Sequence, residues 1–216
     1  MRPAYFCNKD GCDFVELKET AKGLSCENGH FVPFIKGSEI PLFECSDENI
    51  NEYTVHNAAE IHDNSLAWVF KTFKENEDKF RKDLVSRLKL EKGQTCLVTG
   101  AGAGNDLPYV AQAFGGHGFI YAQDYSKQML EEAVSRHKNS VEASGVEIFF
   151  SISEGTNLPF EENMFDAAYH FGGLNLFPSL DKGLSEMSRV VKPSGHIVVG
   201  DEGMAPWLKG TELGKA

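Results

Sequence analysis

Two groups of residues in this chain have types and spacings that could do chemistry. Cys7 and Cys12 form a Cys-x4-Cys pair, and after thirteen intervening residues Cys26 and His30 form a Cys-x3-His pair. Thiolates and an imidazole paired in this way close tetrahedral structural zinc sites. So short a segment cannot bury enough apolar surface to fold unaided, so the metal would supply its stability. Four protein ligands leave no open position, and no catalytic role is expected of the metal. Cys45 is the alternative fourth ligand should His30 lie too far away. The second group is Gly100-Ala101-Gly102-Ala103-Gly104, with Asp124 twenty residues after Gly104. Glycines between a strand and a helix let the backbone turn sharply and approach a ligand at the helix N-terminus. An acidic residue at the end of the next strand accepts hydrogen bonds from ribose hydroxyls in this architecture. A dinucleotide fingerprint would need glycine at 105, where the chain has Asn105, which weakens a nicotinamide or flavin reading without excluding it.

The elements that position these residues can be read from periodicity. From residue 93 onward short β-rich runs alternate with helical segments, the pattern of βαβ units around a parallel sheet. Strands are expected at 95–99, 119–123, 147–151, 167–171 and 196–200, and helices at 106–114, 126–144 and 181–191. The last helix must stop before Lys192-Pro193. The fold class is therefore α/β, a doubly wound parallel sheet. Residues 47–92 carry Ile61, Leu66, Val69, Phe70, Phe73 and Phe80 at helical spacing, which predicts two helices separated near 75–78. Residues 1–45 show turn signals, cysteines and short β-like stretches such as FVPFIK. Three regions follow: a zinc-binding β knuckle at 1–45, a helical connector at 46–92 and a nucleoside-binding core at 93–216. Cys96, inside an apolar strand pattern, reads as a small buried hydrophobe.

Composition narrows the classes. In 216 residues, 41% are hydrophobic and 25% charged, as in ordinary globular domains. No apolar run approaches the ~20 residues needed to cross a bilayer. The start, MRPAYFCNKDGCD, has no apolar h-region, so a cytoplasmic location is expected. The formal charge of −11 argues against a protein whose main task is gripping nucleic acid. The basic stretch KFRKDLVSRLK at 79–89 is expected to be a solvated helix face.

Four segments in one order resemble the class I S-adenosylmethionine (SAM)-dependent methyltransferases, in particular the type 11, ubiquinone-methyltransferase-like group. They are LVTGAGAGNDLPYVA, AQDYSKQMLEEA, SEGTNLPFEENMFDAAYHFGGLNLF and SEMSRVVKPSGHIVV, and the resemblance covers about residues 93–203. It implies that Gly100, Gly102 and Gly104 face the methionine moiety and ribose, and that Asp124 holds the ribose hydroxyls. It further implies Tyr125 and Met129 near the adenine and Glu154 at its amino group, with Ser153, Gly155 and Thr156 around that contact. His170, Phe171 and Gly172 would line the sulfonium side. Glu154 stands where the family usually has Asp, and Cys96 and Val98 stand where an acid often opens the first motif. The segment LSCENGHFVPFIKGSEIPLF is also similar to the zinc-ribbon start of bacterial ribosomal RNA guanine methyltransferases and to Trm112-like proteins.

Methyl transfer needs a positioned acceptor and, for some acceptors, a base. His170, Asn175, Tyr53 and His56 are the candidates near the donor. HFGGLN lacks the Asn/Asp-Pro-Pro-aromatic signature of exocyclic-amino methyltransferases, and the chain lacks the Pro-Cys nucleophile of cytosine-C5 enzymes. The leading expectation is methyl transfer to a small molecule. An rRNA or tRNA methyltransferase is the alternative, as is a SAM-binding or zinc-mediated interaction module without turnover. After strand 196–200 only sixteen residues remain, too few for a helix and two further strands. The expected sheet therefore has five all-parallel strands in the order 3-2-1-4-5, with the 196–200 edge covered by a partner chain, such as a second copy, or by a C-terminal segment missing from this sequence.

Overall fold

The structure, a computed structural model, describes residues 5–45, 53 and 57–201. A small antiparallel sheet comes first, with β1 (Lys18–Thr20), β2 (Gly23–Ser25) and β3 (Phe31–Pro33) in sequential order. Leu24 pairs with Glu19 on one side and Val32 on the other. Gly23 is obligatory here, because a Cβ would lie 2.2 Å from the Val32 carbonyl oxygen. Leu17, Leu24, Val32 and Phe43 form a satellite core around Cys7, Cys12 and Cys26.

Helices α1 (Ala58–Phe73) and α2 (Glu77–Ser86) follow, separated at the expected place. Lys74 ends α1 in the left-handed region, and the Asn76 side chain caps α2 by accepting from the Lys79 amide at 2.8 Å. The basic stretch differs from expectation at one residue. Lys79 and Lys82 are solvated, but Arg81 is 2% exposed. Two carboxylates make that burial tolerable, with Nε donating to Glu77 at 2.8 Å and Nη1 to Asp106 at 2.7 Å.

The main unit alternates β4 (Thr95–Thr99), α3 (Leu107–Ala113), β5 (Gly118–Asp124), α4 (Lys127–Ala143), β6 (Val146–Ile152), β7 (Phe165–Phe171), α5 (Leu180–Val190) and β8 (Val191–Gly200). All its strand pairs are parallel, in the order β6-β5-β4-β7-β8, which is the 3-2-1-4-5 order expected of the sequence. The sheet is buried on both faces, as a parallel sheet requires. Cys96, Val98 and Ile120 pack with Leu107, Val110 and Leu130, while Leu97, Tyr121 and Phe165 pack with Met187 and Val190. Cys96 is fully buried, in line with a packing role.

The last strand runs longer than its β-like residues suggested. Phe165 pairs with Val191 and Ala167 with His196, so residues 192–195 bulge out of the ladder and give Pro193 a place where no amide is needed. Gly195 fits there because a Cβ would lie 2.6 Å from the Asp166 carbonyl oxygen. At the opposite edge the N-terminal segment closes the sheet. Leu42 bridges Ile152 in parallel fashion, and the Phe43 amide donates to the Ile152 carbonyl at 2.9 Å. No helix among the described residues is long and apolar enough to cross a membrane.

Candidate functional site

A cavity of about 490 Å³ opens at the C-terminal ends of β4, β5 and β7. That is the crevice where doubly wound sheets bind ligands, and its size suits a small molecule. The 100–104 turn forms its floor. Gly100 and Gly102 adopt φ of 61° and 54°, and both line the cavity. A Cβ at Gly100 would stand 2.7 Å from His170 Cε1, so glycine is needed for the neighbouring ring as well as for the turn. Gly104 does not line the cavity. Its φ is 84°, and a Cβ would collide with Leu107, Ala133 and His137, which identifies it as the close-packing point between the turn and α4.

Asp124 ends β5 at 6% exposure. One carboxylate oxygen accepts from the Gly102 amide and the other from the Ser126 amide, each at 2.7 Å. Burial pushes this carboxyl above the usual aspartate range, against the pull of those donors. Ser126, not Asp124, caps α4, accepting from the Met129 amide at 3.3 Å. Each Asp124 oxygen keeps a lone pair, which two vicinal hydroxyls could share. Tyr125 and the buried Met129 line the same end, and the Tyr53 carbonyl accepts from the Ser126 hydroxyl at 2.5 Å.

Glu154, Gly155 and Thr156 form the adjoining wall, with the Thr156 hydroxyl 3.5 Å from a Glu154 oxygen. The wall is tied to the strand ends, because the Ser153 amide donates to the Asp124 carbonyl at 3.0 Å and Gln123 donates to the Ser153 carbonyl. Opposite lie His170, Phe171, Gly172 and Asn175. His170 Nδ1 sits 2.9 Å from the Thr99 carbonyl, which accepts only if that nitrogen carries the proton. Burial holds the imidazole below its ordinary range, so it is neutral and Nε2 is a bare acceptor. That atom is buried and has no hydrogen-bond partner among the described residues.

His56 lies outside the described residues. Among the lining residues that sequence reasoning missed are Arg81 and His62. Arg81 Nη2 is buried without a hydrogen-bond partner among the described residues. The only sequence signal was Glu77 four residues before Arg81, a spacing shared with the solvated Asp78–Lys82 pair.

The N-terminal cluster is compact. Donor atoms of Cys7, Cys12, Cys26 and His30 all lie within 4.8 Å of one another. His30 Nδ1 is 3.3 Å from Cys7 Sγ and 3.5 Å from Cys26 Sγ, and the Cys12 and Cys26 sulfurs are 3.6 Å apart. Bond lengths of ~2.3 Å to sulfur and ~2.0 Å to nitrogen give tetrahedral edges of ~3.5–3.8 Å, so the set fits such an ion. The Asn28 amide donates to Cys12 Sγ at 3.3 Å. Burial pushes the Cys7 thiol up to about 12. Burial also raises Cys26, but the His30 and Asn28 amides and the Cys12 thiol overcome it and bring that thiol down to about 7. Cys45 is not in the cluster, because the chain has by then left the knuckle and packs against the main core.

A family model described as "Methyltransferase domain" matches residues 97–199. Demethylmenaquinone methyltransferase of Desulfitobacterium hafniense (strain Y51) is 34% identical over 119 residues, 55% of this chain and 46% of that protein. The Geobacillus sp. (strain WCH70) protein of the same name is 32% identical over 120 residues, 56% of this chain and 50% of that protein. The chain thus spans about half the length of the curated relatives it matches. The crystal structure of the cyclase SpnF superposes with a TM-score of 0.50 at 26% identity, covering 56% of this chain and 43% of that one. A Bacillus halodurans C-125 structure described as a methyltransferase shares the fold, with a TM-score of 0.51 at 19% identity over 58% of this chain and 52% of that one. Residues 97–199 are thus similar to a methyltransferase domain, at the level of this family model and of the demethylmenaquinone methyltransferases.

Proposed function

We propose that the cavity binds SAM and that the protein transfers the methyl group to a small acceptor with an apolar portion. The observation that carries this reading is Asp124, buried at the end of β5 beside a positive-φ glycine turn, with carboxylate lone pairs left for two hydroxyls. Bound SAM would supply an electrophilic methyl on a sulfonium. The protein's part is to hold both partners in line and keep water out. Gly100 and Gly102 let the backbone reach the ligand, and Glu154 to Thr156 wall the adenine end. Arg81 Nη2, unpartnered and buried at the cavity, is placed for the carboxylate of the methionine moiety.

On the acceptor side Leu66, Phe171, Leu176 and Phe177 give an apolar wall, suited to a lipophilic ring or chain. His170 is our choice of base, because its Nδ1 is committed to Thr99 and its Nε2 is bare. The Cys7, Cys12, Cys26 and His30 set is read as a structural zinc site, since four protein ligands leave no room for substrate. Isothermal titration of the purified protein with SAM, S-adenosylhomocysteine and NADH tests the first step, and a panel of quinols and phenols tests the second. Binding of the two sulfur ligands and methylation within the panel are expected. Binding of NADH without S-adenosylhomocysteine would overturn the reading. Binding without methylation of any acceptor, RNA included, would mark a module without turnover.

A further inference from the structure

The zinc knuckle and the wall of the main cavity meet at one strip of backbone. After Glu154, Gly155 and Thr156 the chain continues through Asn157, Leu158, Pro159 and Phe160 before reaching β7. This strip has no ladder of its own, yet all four of its carbonyls are satisfied, by the knuckle and by α5 in alternation. The Asn8 side-chain amide donates to the Asn157 carbonyl at 2.7 Å, and the Phe6 amide to the Pro159 carbonyl at 2.9 Å. Arg189 of α5 donates to the Leu158 carbonyl at 3.2 Å and the Phe160 carbonyl at 2.7 Å. The Asn157 side chain returns a bond to the Asn8 carbonyl at 3.3 Å, so the two asparagines are reciprocally tied. Arg189 is itself roofed by the knuckle, its guanidinium lying 4.3 Å from the centre of the Phe14 ring.

Asn8 follows Cys7 directly, and Phe6 precedes it. The two knuckle residues that grip the strip are therefore tied, through Cys7, to the four ligands that close the cluster. Tyr5 anchors one side of this segment, its hydroxyl donating to the Phe150 carbonyl and its own carbonyl accepting from the Leu17 amide. Three of the seven core side chains are ligands, however, so loss of the metal removes the constraint at Cys7, between Phe6 and Asn8. Two of the four carbonyls would then lose their donors, and the wall that begins at Glu154 would lose its anchor.

We infer that Asn8 and Phe6 of the knuckle are positioning residues of the SAM site, so that metal occupancy at Cys7, Cys12, Cys26 and His30 sets the affinity of the cavity for its adenine-bearing ligand. This rests on the cavity being the SAM site. The metal acts here at a distance, through backbone geometry, and touches no ligand.

The test uses the full-length protein and S-adenosylhomocysteine, with zinc content and amide hydrogen exchange measured alongside the Kd. Asn8→Ala is expected to weaken binding about three- to tenfold, the worth of one hydrogen bond, and to raise exchange across residues 153–160. Lys9→Ala, which removes the neighbouring ion pair with Glu44 and touches nothing in the strip, is expected to stay within about twofold of wild type. Stripping the metal is expected to cost more than Asn8→Ala and to raise exchange over the same residues. If Asn8→Ala loses zinc, Asn157→Ala carries the test from the other side, since it removes the returning bond and leaves the knuckle intact. Unchanged affinity in the metal-free protein or in both asparagine variants would overturn the inference, as would an equal loss in Lys9→Ala. A wild-type protein that binds no S-adenosylhomocysteine would overturn the SAM reading and this inference together.

Discussion

Replacing Asp124 by Asn separates the two tasks assigned to its carboxylate. In the native protein the two oxygens accept from Gly102 and Ser126, each at 2.7 Å. An Asn side chain has one acceptor oxygen, so it can satisfy only one of these amides and turns its NH₂ against the other. A buried amide left without an acceptor costs about 1–3 kcal/mol. The neutral side chain also relieves the burial that pushes the native carboxyl upward, so the net loss of stability is about 1 kcal/mol. Ligand affinity has no such offset. Hydroxyl donors meeting a neutral amide instead of a carboxylate lose about 1.5–3 kcal/mol, a Kd weaker by about 10- to 150-fold. Urea unfolding and S-adenosylhomocysteine calorimetry on the same preparation measure both. The wild-type Kd should also worsen on acidification before an ordinary aspartate with a pKa of 3.8 would titrate, while the Asn variant stays flat. An Asn variant that unfolds like wild type and binds within about threefold of it would refute the reasoning.

Two further outcomes follow from the other groups. Protein purified without chelators should carry about one zinc per chain, and Cys26→Ser should lose it; wild-type protein without metal by elemental analysis would remove the structural-zinc reading. His170 is held below its ordinary 6.5 by burial, so the unfolded chain takes up that proton first. Its contribution is thus present above 6.5 and lost as the pH falls through the depressed native value. The stability of His170→Asn should depend less on pH than wild type in that window, since Asn keeps a donor for the Thr99 carbonyl but has no proton to gain. Equal slopes for the two proteins would mean that the fold leaves the pKa of His170 where it lies in the unfolded chain.

How much was legible follows from the range of the interactions. Strand 95–99 was readable to the residue because the apolar run TCLVT ends in glycine, and the helix after Asp124 because Ser126 lies just ahead of its periodic residues. The strand order followed from the alternation of elements and the resemblance. Local spacing also assembled the four-ligand cluster, since both ligand pairs are short. What escaped were contacts set by residues far apart. Arg81 looked like its solvated neighbours because its second carboxylate, Asp106, lies 25 residues away. Gly104 looked like the other glycines of its turn, and only the packing of Ala133 and His137 against it shows why it has no side chain. Nothing near Asn8 announced a partner at Asn157.

That last pairing also has a consequence in time. Tyr5 and Asn8 leave the ribosome well before the groups they bind, Phe150 and Asn157, which are 145 and 149 residues later in the chain. At a synthesis rate of ~5–20 residues per second the nascent knuckle waits roughly 7–30 s for its docking surface. A metal captured early would hold it as a ready-made block over that interval, and closing so long a loop then costs little more than closing a shorter one. The outer edge of β6 is exposed on the nascent chain until Pro41 and Phe43 settle along Ile152. Early metal capture would therefore shorten the time for which that edge stays open to other chains.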